Sequence, residues 1–212
     1  VRTNIYFMNY TNQLINTGKL NDVGASTRVN VDESFRLGIE LAAIVRPFDA
    51  LDFHAGFTYS ENKIASFTEY VDNFDNYDEN GNMIQDIIDH TDTDMAFSPN
   101  VIGNIGFTYR PLDGLSLNWM TKYVGDQFLD NTSNQDRKID AFTYSNVSLN
   151  YTIEDLVFSS ITLGIQCNNI LDAKYQNNGY TWGYISGGQR TIENFYYPQA
   201  GRNFMFRLLV TI

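Results

Sequence analysis

The sequence predicts an all-β protein, an antiparallel transmembrane β-barrel of which about eight strands are present. Three observations predict it. Apolar and polar residues alternate with period two in runs of about ten residues or more, long enough to cross a bilayer when tilted. The connections between these runs are alternately short and long, the layout of a barrel with tight turns on one side of the membrane and extended loops on the other. Aromatic residues make up 15 % of the chain, as aromatic girdles at two membrane interfaces require. Mean hydropathy is only -0.30 because lipid-facing and lumen-facing residues offset one another. No run of eighteen apolar residues occurs, so no transmembrane helix is predicted.

The first predicted strand covers about Arg2 to Thr17, with Tyr6, Met8 and Tyr10 as its apolar face. The second alternates Phe35, Leu37, Ile39, Leu41, Ala43 and Val45 with Ser34, Arg36, Gly38 and Glu40. The third sets Leu51, Phe53, Ala55, Phe57 and Tyr59 against Asp52, His54, Thr58 and Ser60. The fourth, around Val101–Tyr109, and the fifth, around Leu115–Tyr123, repeat the pattern. The sixth carries Val147, Leu149, Tyr151 and Ile153; the seventh carries Ile161, Leu163, Ile165 and Cys167. In the eighth, Phe204, Phe206, Leu208, Val210 and Ile212 share one face, and Asn203, Met205, Arg207, Leu209 and Thr211 the other.

Tight turns fall at Arg46-Pro47-Phe48-Asp49-Ala50, at Arg110-Pro111-Leu112-Asp113-Gly114 and near Glu154-Asp155. Long connections run over Gly18–Glu33, Tyr70–Ala96, Asn131–Arg137 and Asp172–Asn194. Short turns are periplasmic in this layout, so the last strand ends on the periplasmic side. Net charge is -11, and no basic stripe exists to neutralise phosphates, which excludes nucleic acid as a partner. Nine of the twenty-five Asp and Glu crowd between Glu69 and Asp94. Cys167 is the single cysteine, which rules out a disulfide framework and a cysteine zinc site. It reads as a small hydrophobe.

Candidate chemistry is confined to the long connections. Asn76-Tyr77-Asp78-Glu79-Asn80-Gly81 approaches a calcium loop, but Asn stands first and Ile87 falls where the bidentate Glu belongs, so a solvated turn is expected and no metal site. His90 among Asp86, Asp89, Asp92 and Asp94 could activate water, yet a solvated charge cluster is the plainer reading. His54 beside Asp52 reads as a polar wall residue. No catalytic residue and no cofactor are expected. The last connection carries Tyr180, Trp182, Tyr184, Gly187-Gly188 and Arg190. Its aromatics can stack on a ligand ring and its Arg can pair with an anion, or they can pack the loop. With Tyr77 of the acidic loop, Trp182, Tyr184 and Arg190 are the candidate ligand-binding residues.

Several stretches resemble one family in its own order. They are Asn9-Tyr10-Thr11-Asn12-Gln13-Leu14 with Leu20–Ala25, Ser34–Leu41 with its Gly-x-Glu core, Phe97-Ser98-Pro99-Asn100, and Lys122–Thr132. The best pair is Asn168-Asn169-Ile170-Leu171-Asp172-Ala173-Lys174-Tyr175 with Tyr196–Phe204. Together they resemble the TonB-dependent outer-membrane receptors. The resemblance implies that residues 1–212 are the C-terminal third of a 22-stranded plugged barrel, with plug and TonB box in a part preceding Val1. It implies a receptor in the outer membrane of a Gram-negative bacterium that imports a scarce ligand, an iron chelate or vitamin-like nutrient. Implied partners are the TonB–ExbB–ExbD complex acting through the plug, the rest of the barrel, the lipid bilayer and, optionally, a surface lipoprotein. Family members often finish on Phe, whereas Ile212 stands last here. The residues taken alone also allow a complete eight-stranded barrel acting as adhesin or anchor, or an outer-membrane hydrolase using His90.

Overall fold

A computed structural model describes residues 1–154 and 158–212. Its wall is one antiparallel sheet of eight strands. These are β1 (Arg2–Leu20), β2 (Ser26–Phe48), β3 (Leu51–Tyr77), β5 (Val101–Leu112), β6 (Leu115–Val124), β9 (Phe142–Glu154), β10 (Ser160–Asn168) and β13 (Asn203–Thr211), neighbouring one another in that order. All eight predicted strands are present and correctly ordered. The remaining strands are β4 (Met83–Asp94), which pairs with β3, the hairpin β11 (Gln176–Ser186) and β12 (Gln189–Pro198), and the short pair β7 (Gln127–Phe128) and β8 (Lys138–Ile139).

Register fixes the faces. Residues directly opposite in antiparallel strands lie on the same side of the sheet. Val45, Phe53, Phe107, Trp119, Val147, Cys167 and Phe204 form one continuous row across seven strands. The adjacent row is Asp52, Thr108, Asn118, Ser148, Gln166 and Met205. The first row faces outward, and its apolar companions are open to the surroundings, Phe206 at 80 % and Leu208 at 66 % exposure. That apolar face on a membrane-spanning sheet meets lipid. The second row faces the lumen and bonds along itself: Thr108 Oγ1 donates to Asn118 at 2.8 Å, and Asn118 Nδ2 to Ser148 Oγ at 3.4 Å. At the tight-turn end, Arg46 and Arg110 from the two similar turn sequences both donate to Asp52, at 2.6 and 2.7 Å.

Three sequence readings change. The faces of β1 are reversed: Ile5 and Phe7, opposite Ile39 and Leu37, point outward, while Tyr6, Met8 and Tyr10 sit opposite Gly38, Arg36 and Ser34 on the lumen side. The tyrosine ring explains the choice. Tyr6 lies over Gly38, where a Cβ would come within 2.5 Å of its hydroxyl. Apolarity misled because an aromatic covering a bare backbone looks like a lipid-facing residue. Second, most of the long connections are strands. β1 and β2 continue to a short turn at residues 21–25, β3 runs 27 residues and returns as β4, and β11–β12 is a hairpin. Both faces of these extensions are wet at the outer side, so no apolar alternation marked them. Third, the Asn131–Arg137 connection is folded inward, with Leu129, Asn131, Arg137 and Ile139 all at 2 % exposure or less. The third tight turn lies partly outside the described residues, from Asp155 onward.

Candidate functional site

The outer ends of β3, β11 and β12 meet the inward-folded β7–β8 segment. At the junction is Glu69, buried on β3 beyond the membrane-spanning part. Its Oε1 accepts from Arg137 Nη1 at 2.7 Å and from Arg190 Nη2 at 2.6 Å; its Oε2 meets His90 Nε2 at 3.0 Å. Arg137 also donates to Asp130 at 2.5 Å. Four chain segments thus converge on one carboxylate. Burial pushes the Glu69 carboxyl up, but the hydrogen bonds from Arg137 and Arg190 outweigh it and hold the pKa at about 2. Burial likewise opposes the Arg137 charge, and Asp130 and Glu69 outweigh it, raising the guanidinium above its ordinary value.

The β11–β12 hairpin is laid against β3 by a parallel contact, Tyr184 opposite Asp72 and Ile185 opposite Asn73. Its turn is Gly187-Gly188, both in the left-handed region at φ 60° and 71°, as a two-residue hairpin turn requires. Both glycine N–H groups donate to the Asp75 carboxylate at 2.8 Å. The bonds from Gly188 and Gly187 lower the Asp75 pKa.

Of the candidate ligand-binding residues, Trp182 and Tyr184 are brought together, ring centroids 4.8 Å apart, with Phe74 edge-on to Tyr184 at 5.7 Å. Trp182 Nε1 points to Asp72 at 3.5 Å. Arg190 belongs to the Glu69 junction, with its side chain about one-third exposed. Tyr77 stands at the outermost end of β3, opposite Met83 and half exposed. Tyr180 stacks on Phe195 at 4.7 Å.

The calcium-like segment is the β3–β4 turn. Asp78 Oδ1 accepts the N–H groups of Asn80 and Asn82 at 2.8 Å, and Oδ2 accepts Asn82 Nδ2 at 3.0 Å. Its oxygens close the turn. Among the described residues no three His, Cys, Asp or Glu side chains converge to hold a metal. His90 packs along Phe67 with centroids 6.4 Å apart.

A polar cavity of about 310 Å³ lies between the β1–β2 hairpin and the base of β11, lined by Asn16, Lys19, Phe97, Gln127, Asn177 and Tyr180 among others. Sequence reading missed Glu69, Asp75, Asp130 and Arg137 as the residues that organise this end. Only the acidic excess hinted at them, since Arg137 and Arg190 lie 68 and 121 residues from Glu69.

The two best-matching sequence stretches are physically one knot. Asn169, buried and at φ 49°, donates to Ala173 O at 2.9 Å and Ala200 O at 3.2 Å, and accepts from Ala173 N. Asp172 accepts the Arg202 N–H at 2.8 Å. Tyr175 stacks on Phe142 at 4.6 Å.

A family model described as TonB dependent receptor-like, beta-barrel, matches residues 1–170. The chain belongs to the TonB-dependent receptor β-barrel family, whose members are transporters and outer-membrane barrels of Gram-negative bacteria. Among solved structures, the siderophore receptor PiuA from Acinetobacter baumannii superposes with TM-score 0.61 at 18 % identity, over 97 % of this chain and 25 % of that one. The ferric citrate transporter FecA in its unliganded form gives 0.59 at 18 % identity, over 96 % and 27 %. The copper transporter OprC gives 0.61 at 16 % identity, over 97 % and 28 %. The chain therefore spans about a quarter of the length of these structures.

Proposed function

We propose that this chain is the C-terminal part of a TonB-dependent receptor that sits in the outer membrane and imports a scarce ligand, an iron chelate or vitamin-like nutrient, into the periplasm. The observation that carries the reading is the open wall. Among the described residues β1 pairs only with β2 and β13 only with β10, so the outer backbone edges of both end strands find no partner there. In lipid every backbone polar group needs a partner, so further strands must flank both ends. A complete eight-stranded barrel would pair β1 with β13. The quarter-length match to larger barrels supports the same reading.

In this reading the outer hairpins take part in capture. Trp182 and Tyr77 offer exposed aromatic surface, Tyr184 backs Trp182 from a half-buried position, and Arg190 contributes what Glu69 leaves free of its charge. The polar cavity beside Lys19 and Tyr180 adds donors and acceptors at the same end. Energy reaches the receptor from TonB through a plug carried by another part of the polypeptide. No bond-making step is assigned to these residues: His90 is engaged by Glu69 and packed on Phe67. The test is uptake. Cells expressing the intact gene should accumulate one radiolabelled ferric chelate or cobalamin in a TonB-dependent way, and Trp182→Ala with Tyr184→Ala should weaken its binding. Uptake unchanged by deleting the gene, across the whole panel, would overturn the proposal.

A further inference from the structure

The wall's end strands are open because their neighbours belong elsewhere, but a third free edge has no such origin. β4 pairs only with β3, and among the described residues nothing pairs with its other edge. β4 lies on the same side of β3 as β5, above β5 and β6 in the sheet order, so the strands flanking its position all belong to this chain. Wall strands that continue the sheet pair with the outer edges of β1 and β13 and not with this edge. From Met83 to Thr91 the outer backbone N–H and C=O groups are therefore available to another strand. Asp92, at φ 51°, ends the regular stretch.

The chemistry around this edge is one-sided. The β3–β4 hairpin from Glu69 to Asp94 carries nine carboxylates, of which Glu69 is paired with Arg137 and Arg190 and Asp94 with Lys63, and no Lys or Arg occurs between Ile64 and Tyr109. Apolar surface is interleaved with the acid: Ile87 is 65 % exposed beside Tyr70 across the pair, and Ile84 is 40 % exposed. Charges on an edge strand commonly deter pairing. Acidic charges deter neutral and acidic strands and favour a cationic one, which makes the same feature selective. Strand addition supplies backbone hydrogen bonds for affinity, and alternate side chains supply specificity.

We propose that the free edge of β4, Met83–Thr91, docks an extended, positively charged segment of another polypeptide, which joins the sheet as a further strand. Asp86 shares one face of β4 with Ile84, and Asp89 shares the other with Ile87, so the segment presents basic and apolar side chains on both of its faces. Because the attraction is partly between exposed charges, it weakens as salt rises.

The intact receptor in detergent provides the test. The probe is a fluorescein-labelled nine-residue peptide, Val-Val-Lys-Lys-Val-Val-Lys-Lys-Val, which carries both residue types on each face, compared with the same peptide N-methylated at alternate residues and with a Glu-for-Lys version. The unmodified cationic peptide should bind, the other two at least about tenfold more weakly, and amide exchange should slow specifically within Met83–Thr91. A receptor with D86N, D89N and D92N, whose amides still accept from Asn73 and Thr68, should lose several-fold affinity while keeping its far-UV spectrum. Equal binding of the methylated peptide, protection appearing elsewhere, or no binding of the cationic peptide overturns the proposal. None of these readouts depends on the imported cargo.

Discussion

At the scale of single residues, Arg137 has the largest local consequence. It is 2 % exposed and pairs with two nearly buried carboxylates. Removing one partner of a buried ion pair leaves charge without compensation and costs about 3–5 kcal/mol. Arg137→Ala should therefore lower the thermal midpoint of the intact receptor and open the β7–β8 segment to protease. Arg137→Lys should recover part of the loss, since both carboxylates are bonded through Nη1 alone and one ammonium can donate to two acceptors. Glu69 adds a pH dependence. Its folded pKa of about 2 lies below its ordinary 4.5, so its contribution is fully present above pH 4.5 and disappears as pH falls toward 2. The difference amounts to about 3 kcal/mol at neutral pH. The part of the intact receptor's emission that Trp182→Phe removes should stay constant from pH 8 to 5 and change between pH 4.5 and 2. Glu69→Gln should remove that change. A transition centred near pH 7 would contradict the assignment.

At the scale of elements, the β11–β12 hairpin is held at its tip by one side chain. Asp75→Ala deletes the acceptor of both glycine N–H groups. Cleavage near Gly187-Gly188 by an added protease should speed up several-fold with the wall strands unaffected, and unchanged cleavage would show that the parallel contact with β3 suffices. Legibility divides along the same line. β2, β3, β5, β6 and β10 were readable because lipid on one side and water on the other impose a period of two. The outer halves of β2 and β3, the whole of β4 and most of β11–β12 lie in water on both faces, so their sequence carries no such alternation. Of the candidate site, Trp182 and Tyr184 read only as aromatics two residues apart in a long connection, and that both lie on β11 was not legible. Nor were the carboxylates that organise it, because their partners are brought by tertiary folding. Tyr6 was misassigned for a related reason: its place over Gly38 is a cross-strand fact that neither strand states alone.

At the scale of the molecule, the two edges that find no partner among the described residues govern whether this chain can stand alone. Residues 1–212 expressed behind an export leader should not yield a detergent-stable, compact monomer on unheated gels, because β1 and β13 would each expose a row of backbone groups to lipid. Extraction from the native membrane should instead give a polypeptide roughly four times as long as this chain, in line with the 25 % of PiuA that it covers. A compact 212-residue monomer would support the stand-alone barrel.

The inward-folded segment between β6 and β9 has a mechanical consequence. Asn131 donates to Asn16 O on β1 at 2.7 Å and accepts from Ala96 N at 2.9 Å, and Arg137 reaches Glu69 on β3. It ties β1 to β6 and β9 across the arc formed by β2, β3 and β5, as a chord ties the ends of a bow. The β11–β12 hairpin draws a second chord from the far end of the wall to β3. Two chords of fixed length fix a radius. The bend of this wall is thus braced within the chain itself, and in the proposed full barrel the strands pairing with β1 and β13 would meet edges already held in place.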